Sequence, residues 1–399
     1  MADSKVQPDL VELSDDFPFT GDVSGTVADG SVTDVKVSDM AASKLTGALP
    51  AVSGAALTNL PASYTKSASD PATNTNSTVG ALWVNQVSGE TYVCTDATTD
   101  ANVWTNVGGG DGDILPYTYG GTVSGYCSGG YDGGYGISGI DKYSYSSTGN
   151  ATDVGDVSVA RYNLVGSHSG THGYSSGNEP AGNVIDRFPF ASDGDAVDVG
   201  DLAVNHSGGG GTSSETNGYV SGGNGPIDVI DKFSFSSATQ NGSDIGNLTV
   251  GRASPGHSSS PTHGYTHCGS TGTEVDVIDK FSFASDGDAV DVGNAVRGGD
   301  IGCSGSSSST HGYIVGGNHG YEIGKYSHSS DGDSTDIGDL TDNQFKYTTG
   351  SSSTTYGYRT GGGNPLSNVI DYFPFASDTN ASDVGDLTLA KNYAAGQSF

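Results

Sequence analysis

The sequence predicts an all-β chain built from one repeated unit of short strands, and three observations carry that prediction. There are 64 glycines and 13 prolines in 399 residues, too many for a mostly helical protein. The phrase Ile-Asp-Lys/Arg-aromatic starts at Ile140, Ile185, Ile230 and Ile278, with a degraded copy at Ile323-Gly324-Lys325-Tyr326 and a last one at Ile370-Asp371-Tyr372-Phe373. The steps are 45, 45, 48, 45 and 47 residues, and two further signals keep the same phase. One is Gly-Tyr, a short run and Gly-Gly, as in Gly218 to Gly223 and Gly312 to Gly317. The other is Asp-Val/Ile-Gly-Asp/Asn, starting at Asp153, Asp198, Asp244, Asp291, Asp336 and Asp383.

Each element follows from local chemistry. The Gly-Tyr segment is read as the first strand of a unit, ended by glycines able to take positive φ. The second is the Val229 to Phe235 segment, whose apolar residues fall on both faces, as in a strand covered on both sides. Hairpin turns follow at Ser192-Asp193-Gly194-Asp195, Ser285-Asp286-Gly287-Asp288 and Asn241-Gly242. A third strand carries Asp-Val-Gly-Asp. A Ser-rich fourth leads through Thr-His-Gly, as at Thr262-His263-Gly264 and Thr310-His311-Gly312, into the next copy.

Composition sets the outer bounds. With 46 acidic and 15 basic residues the net charge is −31, and Leu, Ile, Val and Phe number only 74. Such a composition ordinarily means disorder; the in-phase repeat overrides it. So few scattered cations exclude a nucleic-acid-binding surface. No stretch approaches the roughly 20 apolar residues of a membrane span, and the acidic segment from Met1 to Phe19 lacks the marks of a signal peptide. Synthesis in a cytoplasm is the expectation. Cys94, Cys127, Cys268 and Cys303 lie far apart, which reads as small buried residues and not as a metal site or disulfide framework.

A four-stranded unit of about 46 residues cannot bury its own faces and must stack on its neighbours. The repeat resembles the Kelch family in its hydrophobic strand running into Gly-Gly and its aromatic-bearing partner strand. It lacks the Trp usual in the third strand, since Trp83 and Trp104 lie outside the repeats. The resemblance covers 110–399 and implies a six-bladed Kelch-like β-propeller, with the N-terminal strand of that region completing the last blade. An open solenoid or trimeric β-prism is the competing architecture.

The first 64 residues are polar and rich in Gly, Ala and Thr. A thin apolar stripe (Val32, Val35, Val37, Met40, Ala41, Leu45) and the near-copies Leu45-Thr46-Gly47-Ala48-Leu49-Pro50 and Leu57-Thr58-Asn59-Leu60-Pro61 interrupt them. The stretch from Val32 to Pro50 looks like the stem of bacteriophage tail fibres, which implies a homotrimeric shaft and virion attachment through the N-terminus. Residues 65–109 read as a small β module and linker, with strands at Gly80 to Asn85, Gly89 to Thr95 and Ala101 to Trp104. Its tryptophans suit a module core better than a sugar platform.

No residue set reads as catalytic. His172, His263 and His311 recur in Thr-His-Gly, a turn role. Asp186, Asp231 and Asp279, like Asp198, Asp291 and Asp336, recur in phase from copy to copy, as acceptors of backbone N–H bonds would, whereas an active site should break the repeat. The acids Asp193, Asp195, Asp198 and Asp201, echoed at Asp286, Asp288 and Asp291, offer calcium a weak opportunity, without the spacing of an EF-hand loop. Lys142, Arg187, Lys232, Lys280 and Lys325 are expected to pair with a neighbouring unit's Asp.

What varies between copies is the segment after Gly-Gly, expected on one rim of a closed ring. Its candidate receptor-binding residues are Tyr131, Tyr135, Asn178, Glu179, Asn224, Glu274, His319, Tyr321 and Asn364, polar groups suited to sugars. The sequence is therefore read as a phage tail fibre or receptor-binding protein. It would be a non-enzymatic homotrimer located in the virion, attached to a tail or adaptor protein and presenting the propeller to host surface polysaccharide, without nucleic acid or membrane insertion. A capsid-decorating fibre or knob, a polysaccharide depolymerase and an intracellular Kelch-type adaptor are the alternatives.

Overall fold

The computed structural model describes residues 64–107, 119–177, 182–237, 239–296, 301–318, 320–342 and 346–399. The expected stem lies outside the described residues, apart from Tyr64. The chain divides into two compact units, Met1–Leu115 and Pro116–Phe399.

In the first unit, Thr65–Ser67, Leu82–Asn85, Thr91–Asp96 and Val103–Asn106 form one four-stranded sheet in chain order. The first pair is parallel and the others antiparallel. Trp104 is buried with Tyr92 and Cys94, and Trp83 packs edge-on against it at 5.9 Å. Both tryptophans therefore serve the module core. The Thr65–Ser67 strand escaped the sequence reading because it is short and its outer residues are polar and exposed.

Among the described residues, the second unit holds six four-stranded antiparallel sheets. The third sheet is typical: Gly210–Ser213, Asn217–Ser221, Val229–Ser234 and Ser243–Asn247, in that spatial order. The Ser-rich segment is thus the first strand of its sheet, where a fourth was expected, and Gly-Tyr is the second. First strands of successive sheets pack on one another all the way round, with Ala395–Ser398 lying between Thr349–Ser352 and Val165–His168. The arrangement is that of a β-propeller. Closure also departs from expectation. The C-terminal strand Ala395–Ser398 completes the first sheet, beside Ser124–Tyr131, Gly136–Ser144 and Thr152–Arg161. The reason is that the Ser-rich strand, which belongs beside the axis, comes last in the final copy.

Glycine recurs in the axial strands because neighbouring first strands lie too close at those positions for a side chain. A Cβ added at Gly211 would sit 2.2 Å from the Gly166 carbonyl, and one at Gly396 would sit 2.0 Å from that of Gly350. Ser213, Ser259, Ser307, Ser352 and Ser398 each accept the backbone N–H of the preceding sheet with Oγ, at 2.8–3.2 Å.

The periodic phrases now have causes. In Gly-Tyr the glycine lies under the aromatic ring of its own third strand: a Cβ at Gly218 would meet Phe233 at 2.4 Å. The tyrosine stacks across to the next sheet, Tyr219 on Phe283 at 4.7 Å. In Asp-Val-Gly-Asp, the Asp244 carboxylate accepts the Gly246 N–H at 3.1 Å. Gly246, at φ +154°, leaves space for the next sheet's Ser-Asp-Gly-Asp turn, whose Gly287 carbonyl would lie 2.4 Å from a Cβ. Apolar clusters fill the spaces between adjacent sheets, as with Tyr219, Ile230 and Leu248 against Phe281 and Ala289. The stability of each sheet is therefore borrowed from its neighbours.

The recurrent aspartates are scaffold. Asp186, Asp279 and Asp371 are buried and face Arg161, Arg252 and Arg359. Asp141 faces Lys391 at 3.0 Å and Asp231 faces His206 at 3.1 Å. They also accept backbone N–H groups, as Asp186 does from Ser158 and Asp231 from Ala203. In four sheets the phase-locked lysine reaches the next sheet's turn: Lys142 to Asp193 and Lys325 to Asp378 at 2.8 Å, Lys280 to Asp331 at 2.6 Å, and Lys232 to Asp286.

Candidate functional site

Six connections carry the chain from the fourth strand of one sheet to the first strand of the next, and they converge at one end of the axis. Each places one residue in the left-handed region: Asn163, Gly208, Ser254, Gly302, Tyr347 and Tyr393, with φ from 49° to 72°. Two are glycines. The other four hold side chains in a conformation that L-residues seldom adopt.

This backbone shape turns each connection's N–H toward the carbonyl of the preceding one. Gly208 donates to Asn163, Ser254 to Gly208, Gly302 to Ser254, Tyr347 to Gly302 and Tyr393 to Tyr347, at 2.6–3.1 Å. Leu164 N–H donates to Tyr393 at 3.2 Å and closes the circle. The belt forms the wall of a shallow, open cup with a cavity volume of about 50 Å³, lined by these residues and by Leu164, Gly209, Pro255, Cys303, Thr348 and Ala394. None of the lining residues is charged.

Four half-buried tyrosines gather on the same end. Tyr347 stacks on Tyr393 at 4.2 Å, Tyr393 meets Tyr162 at 6.3 Å, and Tyr162 meets Tyr131 at 5.3 Å. Burial first, and then hydrogen bonding to the Tyr347 hydroxyl, raise the Tyr393 pKa, so Tyr393 stays a neutral phenol at physiological pH. The cup thus offers aromatic faces, hydroxyls and amides in an otherwise strongly acidic molecule. That combination suits an uncharged, hydroxyl-rich ligand.

Of the sequence-derived candidates, Tyr131, Asn224 and Asn364 lie in or beside the connections between second and third strands at this same end. Tyr131 exchanges backbone hydrogen bonds with Asn392, Asn224 donates its N–H to Ser207, and Gly363 donates to Lys346. Tyr135 is 80% exposed at the tip of a turn whose N–H groups are accepted by Asp132. Glu274 and Tyr321 are exposed in the matching turns of the fourth and fifth sheets. Asn178, Glu179 and His319 lie outside the described residues. The cup itself went unseen because its residues occupy one repeat position yet share no chemistry; a left-handed backbone leaves a weak mark in sequence unless glycine supplies it.

The other groups weighed from the sequence have structural partners. His172, His263 and His311 each receive a hydrogen bond at Nδ1 from, or donate one to, the preceding threonine hydroxyl at 2.8–2.9 Å. Asp195 and Asp288 accept the N–H groups of Asp156 and Asn247 in the preceding sheet, and Asp198 and Asp291 accept those of Gly200 and Gly293. All four cysteines are buried and none forms a disulfide. Cys268 and Cys303, remote in sequence, come together beside His267.

No family model and no curated protein matches the sequence. Among solved structures, one described as "Structure of YjhT" aligns over 60% of this chain and 88% of its own, with a TM-score of 0.50 and 11% identity. The likeness is one of fold.

Proposed function

We propose that this chain is the receptor-binding component of a phage tail fibre, in which a six-bladed Kelch-like propeller binds uncharged host surface polysaccharide through its axial cup. The carrying observation is the cup: an uncharged, hydroxyl- and amide-bearing depression with Tyr347 and Tyr393 in its wall, from which ring contacts continue outward to Tyr162 and Tyr131. Sugar rings present C–H faces to aromatic side chains and hydroxyls to amides and phenols. The rim residues Tyr131, Asn224 and Asn364 extend the contact outward. The Ile-Asp-aromatic and Gly-Tyr repeats support the Kelch likeness, and the phrases between Val32 and Pro61 support a trimeric stem that attaches to the virion.

The chain is read as a binding protein and not as an enzyme. The experiment is retention of full-length protein on purified host polysaccharides, with Tyr347→Ala and Tyr393→Ala as cup variants. Binding that both variants weaken supports the reading. Binding that neither changes overturns the cup assignment, and shortening of the polysaccharide chains overturns the non-enzymatic one. A monomeric mass for the full-length chain overturns the trimeric stem.

A further inference from the structure

Five of the six sheets end the second strand with a left-handed glycine. Gly129, Gly177, Gly222, Gly316 and Gly361 have φ between 59° and 69°. The fourth sheet places Cys268 there, at φ 59°. The residue before it is His267, where the other sheets carry Ser128, Ser176, Ser221, Val315 and Thr360. Cys303 precedes the first strand of the fifth sheet, where the others carry Leu164, Gly209, Pro255, Thr348 and Ala394. Three departures from the repeat, each introducing a metal-ligating side chain, therefore meet at a single interface.

Their geometry is that of a ligand set. An imidazole nitrogen and the two sulfurs all lie within 4.8 Å of one another, and all three residues are buried. Cys303 Sγ is 3.8 Å from His267 Nδ1. Ligands at about 2.3 Å (sulfur) and about 2.0–2.1 Å (nitrogen) from a tetrahedral zinc ion stand roughly 3.5–4 Å apart. Gly256 makes room for the group: a Cβ there would fall 2.4 Å from the imidazole and 2.8 Å from the Cys303 sulfur. The His257 carbonyl is near enough to polarise Nε2 without a hydrogen bond of sound geometry.

We infer that His267, Cys268 and Cys303 bind one thiophilic divalent cation of the zinc class at the interface of the fourth and fifth sheets. Two thiolates and a neutral imidazole around a divalent ion make an uncharged assembly, which a buried site accommodates without a counter-ion. Three protein ligands leave a fourth position for water or another donor. Cys303 also forms part of the cup wall, so the ion would stand beside the cup. This inference is independent of what the cup binds.

Cobalt(II) titration of the reduced, metal-free full-length protein tests it, followed by displacement with zinc(II). The expected result is one equivalent taken up with the thiolate-to-cobalt charge-transfer absorption and the strong visible bands of a tetrahedral site, both lost on adding zinc. Cobalt scattered over the acidic surface gives neither band. Cys268→Gly, which restores the residue of the other five sheets, abolishes the absorption while circular dichroism and cooperative melting persist. Cys94→Ser, in the other unit, keeps the full equivalent. No charge-transfer band in the unmodified protein, an undiminished band in Cys268→Gly, or a Cys268–Cys303 disulfide in peptides mapped without reductant would each overturn the assignment.

Discussion

Tyr358 packs on Tyr145 with ring centroids 4.7 Å apart and planes tilted by 31°, joining the sixth sheet to the first. The contact repeats between the other sheets as Tyr126 on Phe190, Tyr174 on Phe235, Tyr219 on Phe283 and Tyr313 on Phe375, at 4.7–4.9 Å, and as Tyr265 on His328 at 4.9 Å. One interaction, copied six times, returns to its starting point. The ring is closed by the same side-chain chemistry that builds each of its joints.

That identity makes the last strand indispensable. Ala395–Ser398 pairs with Ser124–Tyr131, and buried Gln397 donates to Ser128 Oγ and to the Tyr174 carbonyl at 3.0 and 2.9 Å. Removing residues 395–399 bares a strand edge and opens two interfaces. The truncated chain is expected in the insoluble fraction or without a cooperative melting transition; a soluble protein with an unchanged melting temperature would contradict closure by this strand.

The glycine of Asp-Val-Gly-Asp gives a sharper test. Gly246→Ala adds a methyl against the Gly287 carbonyl at a strained φ and is expected to cost about 2–4 kcal/mol. Gly194 meets nothing within 4 Å and lies outside the left-handed region, so Gly194→Ala should change stability by less than about 0.5 kcal/mol. Urea unfolding of the two variants side by side measures the difference.

Buried and exposed ion pairs should separate just as clearly. Arg252 and Asp279 have fully buried side chains, and burial pushes the Asp279 pKa up against the pull of Arg252. Arg252→Ala strands that carboxylate and is expected to cost about 3–5 kcal/mol. Lys142→Ala removes a partner from the largely exposed Asp193 and should cost less than about 1 kcal/mol. Equal losses in denaturant unfolding would refute the distinction. In the fifth copy Gly324 replaces the Asp, and Gly299 stands at the sequence position that carries Arg161, His206, Arg252 and Lys391 elsewhere.

Acid sensitivity has an identifiable source. His328 takes a place held by Phe or Tyr in the other sheets, and both of its ring nitrogens are buried without a hydrogen-bond partner. Burial lowers its pKa to about 3. An unfolded histidine titrates near about 6.5, so below that pH the unfolded chain takes up a proton that the folded one refuses. The contribution to stability is whole above about pH 6.5 and is lost as pH falls toward 3, by at most about 1.4 kcal/mol per unit. His328→Phe should lose about 1–2 kcal/mol less than the unmodified protein between pH 7 and pH 5, read by urea unfolding at each pH; parallel losses would remove His328 as a cause.

The repeat was legible in the sequence because its signals are steric obligations: a glycine beneath Phe233, another facing Gly287, an aspartate holding a turn. Strand order within a sheet was harder to read. The Ser-rich strand has little hydrophobic pattern, since its side chains bond to the neighbouring backbone, and so it was placed last although it lies beside the axis. Variation between copies pointed to Tyr131, Asn224 and Asn364, which lie at the end of the axis where the cup opens. The cup could not be found in that way, because the left-handed backbone that aims Asn163, Ser254, Tyr347 and Tyr393 is set by the hydrogen-bonded circle they form together. Cys268 and Cys303 looked unrelated for a like reason, as only the stacking of two sheets makes them neighbours.

Closure by the Ala395–Ser398 strand also fixes when this protein can fold. A ribosome delivers the Ser124–Tyr131 strand well before its axial partner, so while the five intervening sheets are made the first sheet waits with an unsatisfied backbone edge. The nascent propeller is then at its stickiest while still tethered. The speed of elongation through the intervening sheets, or a chaperone able to shield a bare strand, would decide how much of it ends as finished rings and how much as aggregate.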